Sequence, residues 1–176
     1  MRTLMTVLFL GLWSVVVVCA QPAAGLRWTA PAGWKSEPAR SMRAATYTIA
    51  PATGDKTGAE CAVYFFGAGQ GGSVDANIDR WKGQFEGGDG RAAKAQVAKR
   101  TIRGLTMTTI DTSGEYLGMG GPMGGAPTAA AGYRMLGAIV EGPSGNVFVK
   151  FTGPEKTIAA NQQKFDQLLA SFQKEQ

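Results

Sequence analysis

Histidine is missing from this chain of 176 residues. Because histidine is the commonest general base and a frequent metal ligand, its absence excludes Ser-His-Asp and Cys-His catalytic arrangements and histidine-bound metal centres. An enzyme built on this sequence would have to use carboxylates, lysine or tyrosine. The 13 acidic residues are scattered along the chain, and no pair of them has a spacing that predicts a shared catalytic site. The composition therefore favours a protein without catalytic activity.

Cysteine is almost as scarce, and Cys19 and Cys61 are the two examples. Two cysteines so far apart form neither a thiolate metal cluster nor a C-x-x-C redox motif. Cys61 opens the apolar stretch 61–66, which is typical of a buried structural residue, with a reactive thiol as the alternative. The sequence thus predicts no metal site and no cofactor.

A hydrophobic run long enough to cross a membrane is also lacking. Residues 4–18 are uncharged and largely apolar, but they fall short of the roughly 20 residues that a membrane span requires. With Arg2 before this run and the small residue Ala20 after it, the pattern predicts a signal peptide cleaved after Ala20. Lipidation at Cys19 is the alternative, and it is disfavoured because Val18 stands where lipoproteins usually carry Gly or Ala.

Cleavage at that point leaves residues 21–176 as the mature chain, which has the length of one ordinary domain and carries no predicted transmembrane segment. The expected location is secreted or periplasmic. Removing Arg2 from the 18 basic residues leaves 17 against 13 acidic ones, a net charge of +4. This excess is too small and too dispersed for nucleic-acid binding, although it allows weak association with anionic surfaces.

Short β-type runs separated by glycine and proline make up most of the mature chain. They are rich in Val, Ile and Thr, and several alternate between apolar and polar residues. Seven strands are predicted, over residues 26–29, 42–50, 61–66, 93–102, 105–112, 133–140 and 147–152.

Two amphipathic helices interrupt and follow these strands. The first is predicted over residues 73–86, where Ser73 suits the N-cap, and the second over residues 154–172, which Pro154 opens. The apolar stripe of the first helix consists of Val74, Ile78, Trp81 and Phe85. Consecutive strands with two helices predict an α+β fold, a mostly antiparallel sheet of about six to seven strands with two flanking helices.

The segment 114–132 is rich in glycine and methionine, and the sequence predicts a long irregular loop there. Long loops on a rigid sheet often carry function, and tyrosine is enriched in interfaces. The candidate binding residues are therefore Tyr116, Met119, Met123 and Tyr133. The two methionines could bind Cu(I) through soft thioethers, but copper-binding segments are usually denser in methionine.

A second candidate is the glycine-rich turn before the first helix. Helix N-termini present free N–H groups that attract anions, so Gly69, Gly71, Gly72 and Ser73 form a candidate anion-binding turn. The segment lacks the Gly-Lys-Ser/Thr end of a Walker loop. The alternative is a strand-to-helix turn that needs glycine for its backbone conformations.

Four short motifs suggest a family. They are Ala-Pro-Ala-Gly-Trp at residues 30–34, Ser-Met-Arg at 41–43, the glycine-rich run 66–72 and Asn-Ile-Asp-Arg-Trp at 77–81. Together they resemble an exported bacterial domain of unknown function. Its overall plan is similar to the PsbP-type fold, which the photosystem II extrinsic protein shares with Mog-type Ran-binding proteins. The resemblance implies an adaptor fold of a sheet with helices, and no functional residue is carried over from it.

Two classes of function follow from the sequence. The first is a non-enzymatic binding or adaptor module of the cell envelope, with an unidentified protein or polymer as partner. The second is a small-molecule or ion-binding protein, or a weak hydrolase, with a cleft under residues 114–132. A pocket with convergent polar and aromatic groups would favour the second class, and a flat exposed patch would favour the first.

Overall fold

The computed structural model describes residues 22–118 and 129–175. The predicted cleavage after Ala20, lipidation at Cys19 and the candidate ligands Met119 and Met123 lie outside the described residues. Within the described ranges no helix has both the length and the hydropathy that a membrane crossing needs.

The described residues form ten strands and three helices. In chain order, the first half contains β1 (Leu26–Arg27), β2 (Lys35–Ser36), β3 (Arg43–Ile49), β4 (Ala59–Tyr64), α1 (Val74–Lys82) and β5 (Phe85–Glu86). The second half contains β6 (Ala95–Ile102), β7 (Leu105–Tyr116), β8 (Ala130–Gly142), β9 (Gly145–Pro154), α2 (Glu155–Ala160), α3 (Gln162–Ser171) and β10 (Gln173–Lys174).

Eight of these strands form one sheet in the order β2-β3-β4-β9-β8-β7-β5, and β6 also pairs with β7. All pairings between neighbours are antiparallel. Strands β1 and β10 form a separate two-stranded sheet that brings the two ends of the described chain together. The predicted α+β class with a mostly antiparallel sheet is confirmed.

The larger core lies between one face of the sheet and helices α2 and α3. Phe165, Leu168 and Leu169 of α3 pack there against strand residues such as Phe151. Cys61 is completely buried in this core, and burial raises the pKa of its thiol. The predicted structural role of Cys61 is confirmed because no solvent reaches its side chain.

The smaller core lies on the opposite face, under α1. Ile78 and Trp81 pack against a patch of strand residues that includes Met135 and Phe148. Gly137 makes this contact close, since a Cβ atom at that position would lie 2.7 Å from the Trp81 ring. Helix α1 has nine residues.

The first predicted helix is too long. It ends at Lys82, Gly83 caps it, and Phe85 begins the short strand β5, which pairs with Tyr116 of β7. Phe85 falls on the helical stripe by spacing, and it is buried as expected. The backbone hydrogen bonds offered by β7 nevertheless place it in a strand.

The second predicted helix is interrupted at Asn161, and Pro154 is the last residue of β9. Asn161 donates from Nδ2 to the carbonyl oxygen of Thr157 and accepts a hydrogen bond from Trp34 Nε1 at 3.2 Å. A partner 127 residues away in sequence thus holds the break between α2 and α3. Local helix periodicity contains no sign of this contact.

Both ends of the predicted loop 114–132 belong to strands. Strand β7 continues to Tyr116, and β8 begins at Ala130, so the two strands pair beyond the predicted boundaries. At Gly114 a Cβ atom would lie 2.2 Å from the carbonyl oxygen of Glu86. A glycine inside β7 is therefore required by the close approach of β5, and it does not mark the start of a loop.

Candidate functional site

An open groove with a volume of 770 Å³ lies on the sheet face that carries α1. Its lining comes mainly from β3, β4, β7, β8 and β9. The side chains that give the groove its chemistry are Arg43, Glu60, Tyr64, Tyr116, Tyr133 and Lys150. The sheet therefore gathers charged and aromatic groups from separate parts of the chain on one concave surface.

Lys150 forms the centre of the groove. Strand β9 alternates between the two faces, and this places Lys150 on the same face as Phe148 and Thr152. Its side chain is 9% exposed. The ammonium group donates hydrogen bonds to Gln84 Oε1 at 2.6 Å and to the Tyr116 hydroxyl at 3.1 Å, and it lies 5.0 Å from the centre of the Tyr116 ring.

The surroundings of Lys150 disfavour its charge. Burial lowers the pKa of the amine from its ordinary value of 10.5 to about 8, and the positive charges of Arg80 and Arg43 act in the same direction. The carboxylate of Glu60 opposes them. Lys150 therefore lines the groove with an ammonium group that is less hydrated than the ammonium group of a surface lysine.

An ion pair forms one wall of the groove. The Arg43 guanidinium donates to Glu60 Oε1 at 2.8 Å and lies 5.3 Å from the centre of the Tyr64 ring. Arg40 approaches the other Glu60 oxygen at 3.7 Å. Because two guanidinium groups share this one carboxylate, the wall leaves excess positive charge beside the groove.

Thr152 contributes a polar atom with no visible partner. Its Oγ1 is buried and makes no hydrogen bond to any of the described residues. Thr152 also lines the groove, two positions along β9 from Lys150. Buried hydroxyl groups are nearly always hydrogen-bonded, so this atom has capacity for a ligand or a water molecule.

Two of the tyrosines predicted as binding residues meet in the groove. The rings of Tyr116 and Tyr133 stack with their centres 6.0 Å apart and their planes 5° apart, and both residues line the groove. The Tyr133 hydroxyl lies 3.5 Å from Thr57 Oγ1. Their binding role stays a prediction, and its other two members, Met119 and Met123, lie outside the described residues.

The candidate anion-binding turn makes contacts within the protein, and its binding of anions stays a prediction. Gly69, Gly71 and Gly72 all have positive φ angles, and Ser73 caps α1 by accepting a hydrogen bond from the amide of Ala76. The Asn77 side chain donates to the carbonyl oxygens of Gly71 and Ser73. None of the four candidate residues lines the groove. The observed geometry is that of a strand-to-helix turn.

Sequence reasoning missed the charged and polar residues of the groove, namely Lys150, Arg43, Glu60 and Thr152. One local signal was available, because Lys150 interrupts an otherwise apolar central strand between Val149 and Phe151. A lysine at such a position must either be satisfied inside the protein or serve a ligand. The partners of that lysine come from distant segments, which the sequence pattern does not bring together.

Metal binding has no support in the described ranges. They contain no group of three or more Cys, Asp or Glu side chains close enough to hold a metal ion. The groove offers one carboxylate, Glu60, and its two oxygens are engaged by arginines.

No family model matches this chain, and no curated protein matches its sequence. The solution structure of cyanobacterial PsbP (CyanoP) from Synechocystis is similar to it, with a TM-score of 0.54 and 10% identity over 94% of this chain and 97% of that one. A crystal structure of a protein of unknown function from Pseudomonas aeruginosa matches with a TM-score of 0.49 and 12% identity over 88% of this chain and 94% of that one. The likeness to CyanoP confirms the PsbP-like fold and extends to the fold alone.

Proposed function

We propose that this chain is an extracytoplasmic binding module of the cell envelope that holds a small ligand in the sheet groove. The observation that carries the proposal is the position of Lys150, a buried cation on the floor of an open cavity of 770 Å³. Support for the location comes from the sequence, where Arg2, the apolar stretch 4–18 and Ala20 follow the pattern of a signal peptide.

The shape of the groove favours a small molecule over a macromolecular partner. Its volume falls within the roughly 300 to 1,000 Å³ that is typical of small-molecule sites. Tyr64, Tyr116 and Tyr133 line it beside charged and polar groups, and aromatic surface with precisely placed polar groups is typical of such a site.

Binding is a better account of this site than hydrolysis. A hydrolase needs a nucleophile or an activated water beside a general base. In the groove the one carboxylate, Glu60, is held by Arg43 and Arg40, and the Lys150 ammonium is held by Gln84 and Tyr116. These contacts create a fixed polar floor that suits recognition.

The proposal is tested by a ligand-observed NMR screen of a fragment library that contains equal numbers of acids, amines and neutral compounds. Each hit is then titrated into the ¹⁵N-labelled protein. We expect the hits to shift the backbone amide signals of β4 and β9 and to bind more weakly to the Lys150→Met variant. Lys156→Met, at an exposed position on α2, is the matched control. Hits that all map away from the groove, or that survive Lys150→Met unchanged, would overturn the proposal.

A further inference from the structure

We propose that the ligand of the groove is an organic monocarboxylate, whose carboxylate group pairs with Lys150 and Thr152 and whose apolar body lies against the tyrosine rings of the groove. This inference rests on the proposed function, in which the groove is a binding site. It adds the chemical class of the ligand and the two residues that recognise its charged end.

Lys150 lacks a negatively charged partner. Its hydrogen-bond partners Gln84 and Tyr116 are neutral, and none of the described carboxylates lies within 4.0 Å of its ammonium group. The parts of the chain outside the described ranges, residues 1–21, 119–128 and 176, contain neither Asp nor Glu. A buried cation without a counter-ion is costly, so an anion that enters the groove gains a strong partner.

The nearest acidic residue does not neutralise this charge. Glu60 raises the pKa of Lys150, but its effect is smaller than that of Arg80, which lowers it. Both oxygens of Glu60 also face guanidinium groups, those of Arg43 and Arg40. The groove consequently retains a positive potential, and a ligand of negative charge complements it.

Thr152 supplies a second recognition point. Residues two apart on one strand face the same way. A carboxylate has two oxygens, so it can accept one hydrogen bond from the Lys150 ammonium and one from the Thr152 hydroxyl, which has no partner among the described residues. This arrangement satisfies both polar groups that the protein leaves incompletely paired.

The kind of donors indicates a carboxylate in preference to a phosphate. Phosphate sites usually present free backbone N–H groups at a helix N-terminus or in a nest. Strand β9 lies inside the sheet between β4 and β8, so its backbone groups are used in the ladders on both sides. One ammonium and one hydroxyl match a single carboxylate, and the rings of Tyr64, Tyr116 and Tyr133 match an apolar body.

The test compares benzoate and hexanoate with the neutral isosteres benzamide and hexanamide, and with inorganic phosphate, by NMR titration of the whole mature protein. At pH 7 we expect both carboxylates to bind at least about tenfold more tightly than their amides, the usual advantage of a hydrogen bond to a charged group. The apparent dissociation constant of the carboxylates should rise about tenfold per pH unit above pH 8, as the Lys150 ammonium loses its proton.

Two variants locate the contact. Lys150→Met should abolish the preference for carboxylates, and Thr152→Val, which keeps the size of the side chain, should weaken carboxylate binding about three- to tenfold without changing amide binding. Lys156→Met serves again as the matched control. The threonine variant keeps the inference testable if Lys150→Met does not fold.

The outcomes separate the two proposals. Amides that bind in the groove as tightly as carboxylates, or phosphate that binds more tightly than either, would overturn the carboxylate assignment and leave the binding groove in place. A pH-independent preference that survives in both variants would also overturn it. If no probe and no library fragment shifts the signals of β4 and β9, the binding function itself fails.

Discussion

Lys150 shows how one residue can serve two opposing demands. An apolar side chain of similar length could be buried in this central strand without desolvation of a charge. Lys150 is buried at the same position, and burial disfavours its charged form. The protein compensates with the carbonyl group of Gln84 and the hydroxyl and ring of Tyr116. A residue that costs stability and lines a cavity is a strong candidate for function.

The lowered pKa of Lys150 predicts a specific pH dependence of stability. Between pH 8 and 10.5 the unfolded chain binds a proton at Lys150 that the folded protein lacks, so this lysine makes the free energy of unfolding rise with pH. The raised pKa of the buried Cys61 thiol acts in the opposite direction above pH 9, so the contribution of Lys150 is measured as a difference between variants. The expected rise is on the order of 1 to 3 kcal/mol. In urea denaturation the free energy of unfolding of the wild type and of Lys156→Met should gain this amount relative to Lys150→Met between pH 8 and 10.5. An equal rise in Lys150→Met would contradict the assignment.

Cys61 allows a second prediction at this scale. Its side chain has no exposed area, so Cys61→Ser would bury a hydroxyl among apolar groups and lower the free energy of unfolding by about 1 to 3 kcal/mol. Cys61→Ala separates this polar penalty from the loss of volume. In the native wild type, thiol labelling should be slow and should accelerate in denaturant. Rapid labelling without denaturant would show that the thiol is accessible.

At the scale of elements, α1 depends on a strand that leaves room for it. Gly137 of β8 lies under Trp81, and a Cβ atom there would come within 2.7 Å of the indole ring and 2.8 Å of Ile110 Cγ2. The position of the helix therefore depends on the absence of a side chain at Gly137 as well as on the apolar stripe of the helix. Its position also bears on the groove, because Phe85, which follows the helix, packs against Tyr116.

Gly137→Ala should therefore destabilise the fold by about 1 to 3 kcal/mol through overpacking. The matched control is Gly88→Ala, since a Cβ atom at Gly88 meets nothing within 4 Å and its φ angle is not positive. Urea denaturation measures both variants. Equal stability of the two variants would show that the Trp81 contact adjusts at no cost.

The whole molecule is a sheet with unequal coverage. Helices α2 and α3 cover one face over the larger core, while α1 packs on part of the other face and the groove occupies another part of it. On that second face the buried Lys150 has hydrogen-bond partners in Gln84 and Tyr116, while Val149 and Phe151 of the same strand face the larger core. The arrangement gives a stable scaffold and a shaped binding surface at the same time.

Export also concerns the molecule as a whole. We expect the mature protein to begin at Gln21, because Ala20 is the small residue that signal peptidase requires after the apolar stretch 4–18. Mass spectrometry of protein recovered from the producing cells measures the N-terminus directly. A diacylglyceryl group on Cys19 would instead show processing as a lipoprotein.

Local patterns were sufficient for much of the fold. The β-type runs over residues 42–50 and 147–152 predicted two of the strands, and Ser73 with the stripe through Ile78 and Trp81 predicted α1, because these signals join residues only a few positions apart. The burial of Cys61 followed in the same way from its apolar neighbours. The α+β class came from the order of these elements alone.

The binding groove could not be read in this way. Gln84, Tyr116 and Lys150 come from different segments, and the contact between Gln84 and Lys150 joins residues 66 positions apart. The same holds for Phe85, whose strand exists because β7 offers hydrogen bonds, and for the helix break at Asn161, which Trp34 contacts. Such contacts depend on which strands become neighbours in the sheet, and hydrophobic periodicity carries no information about that pairing.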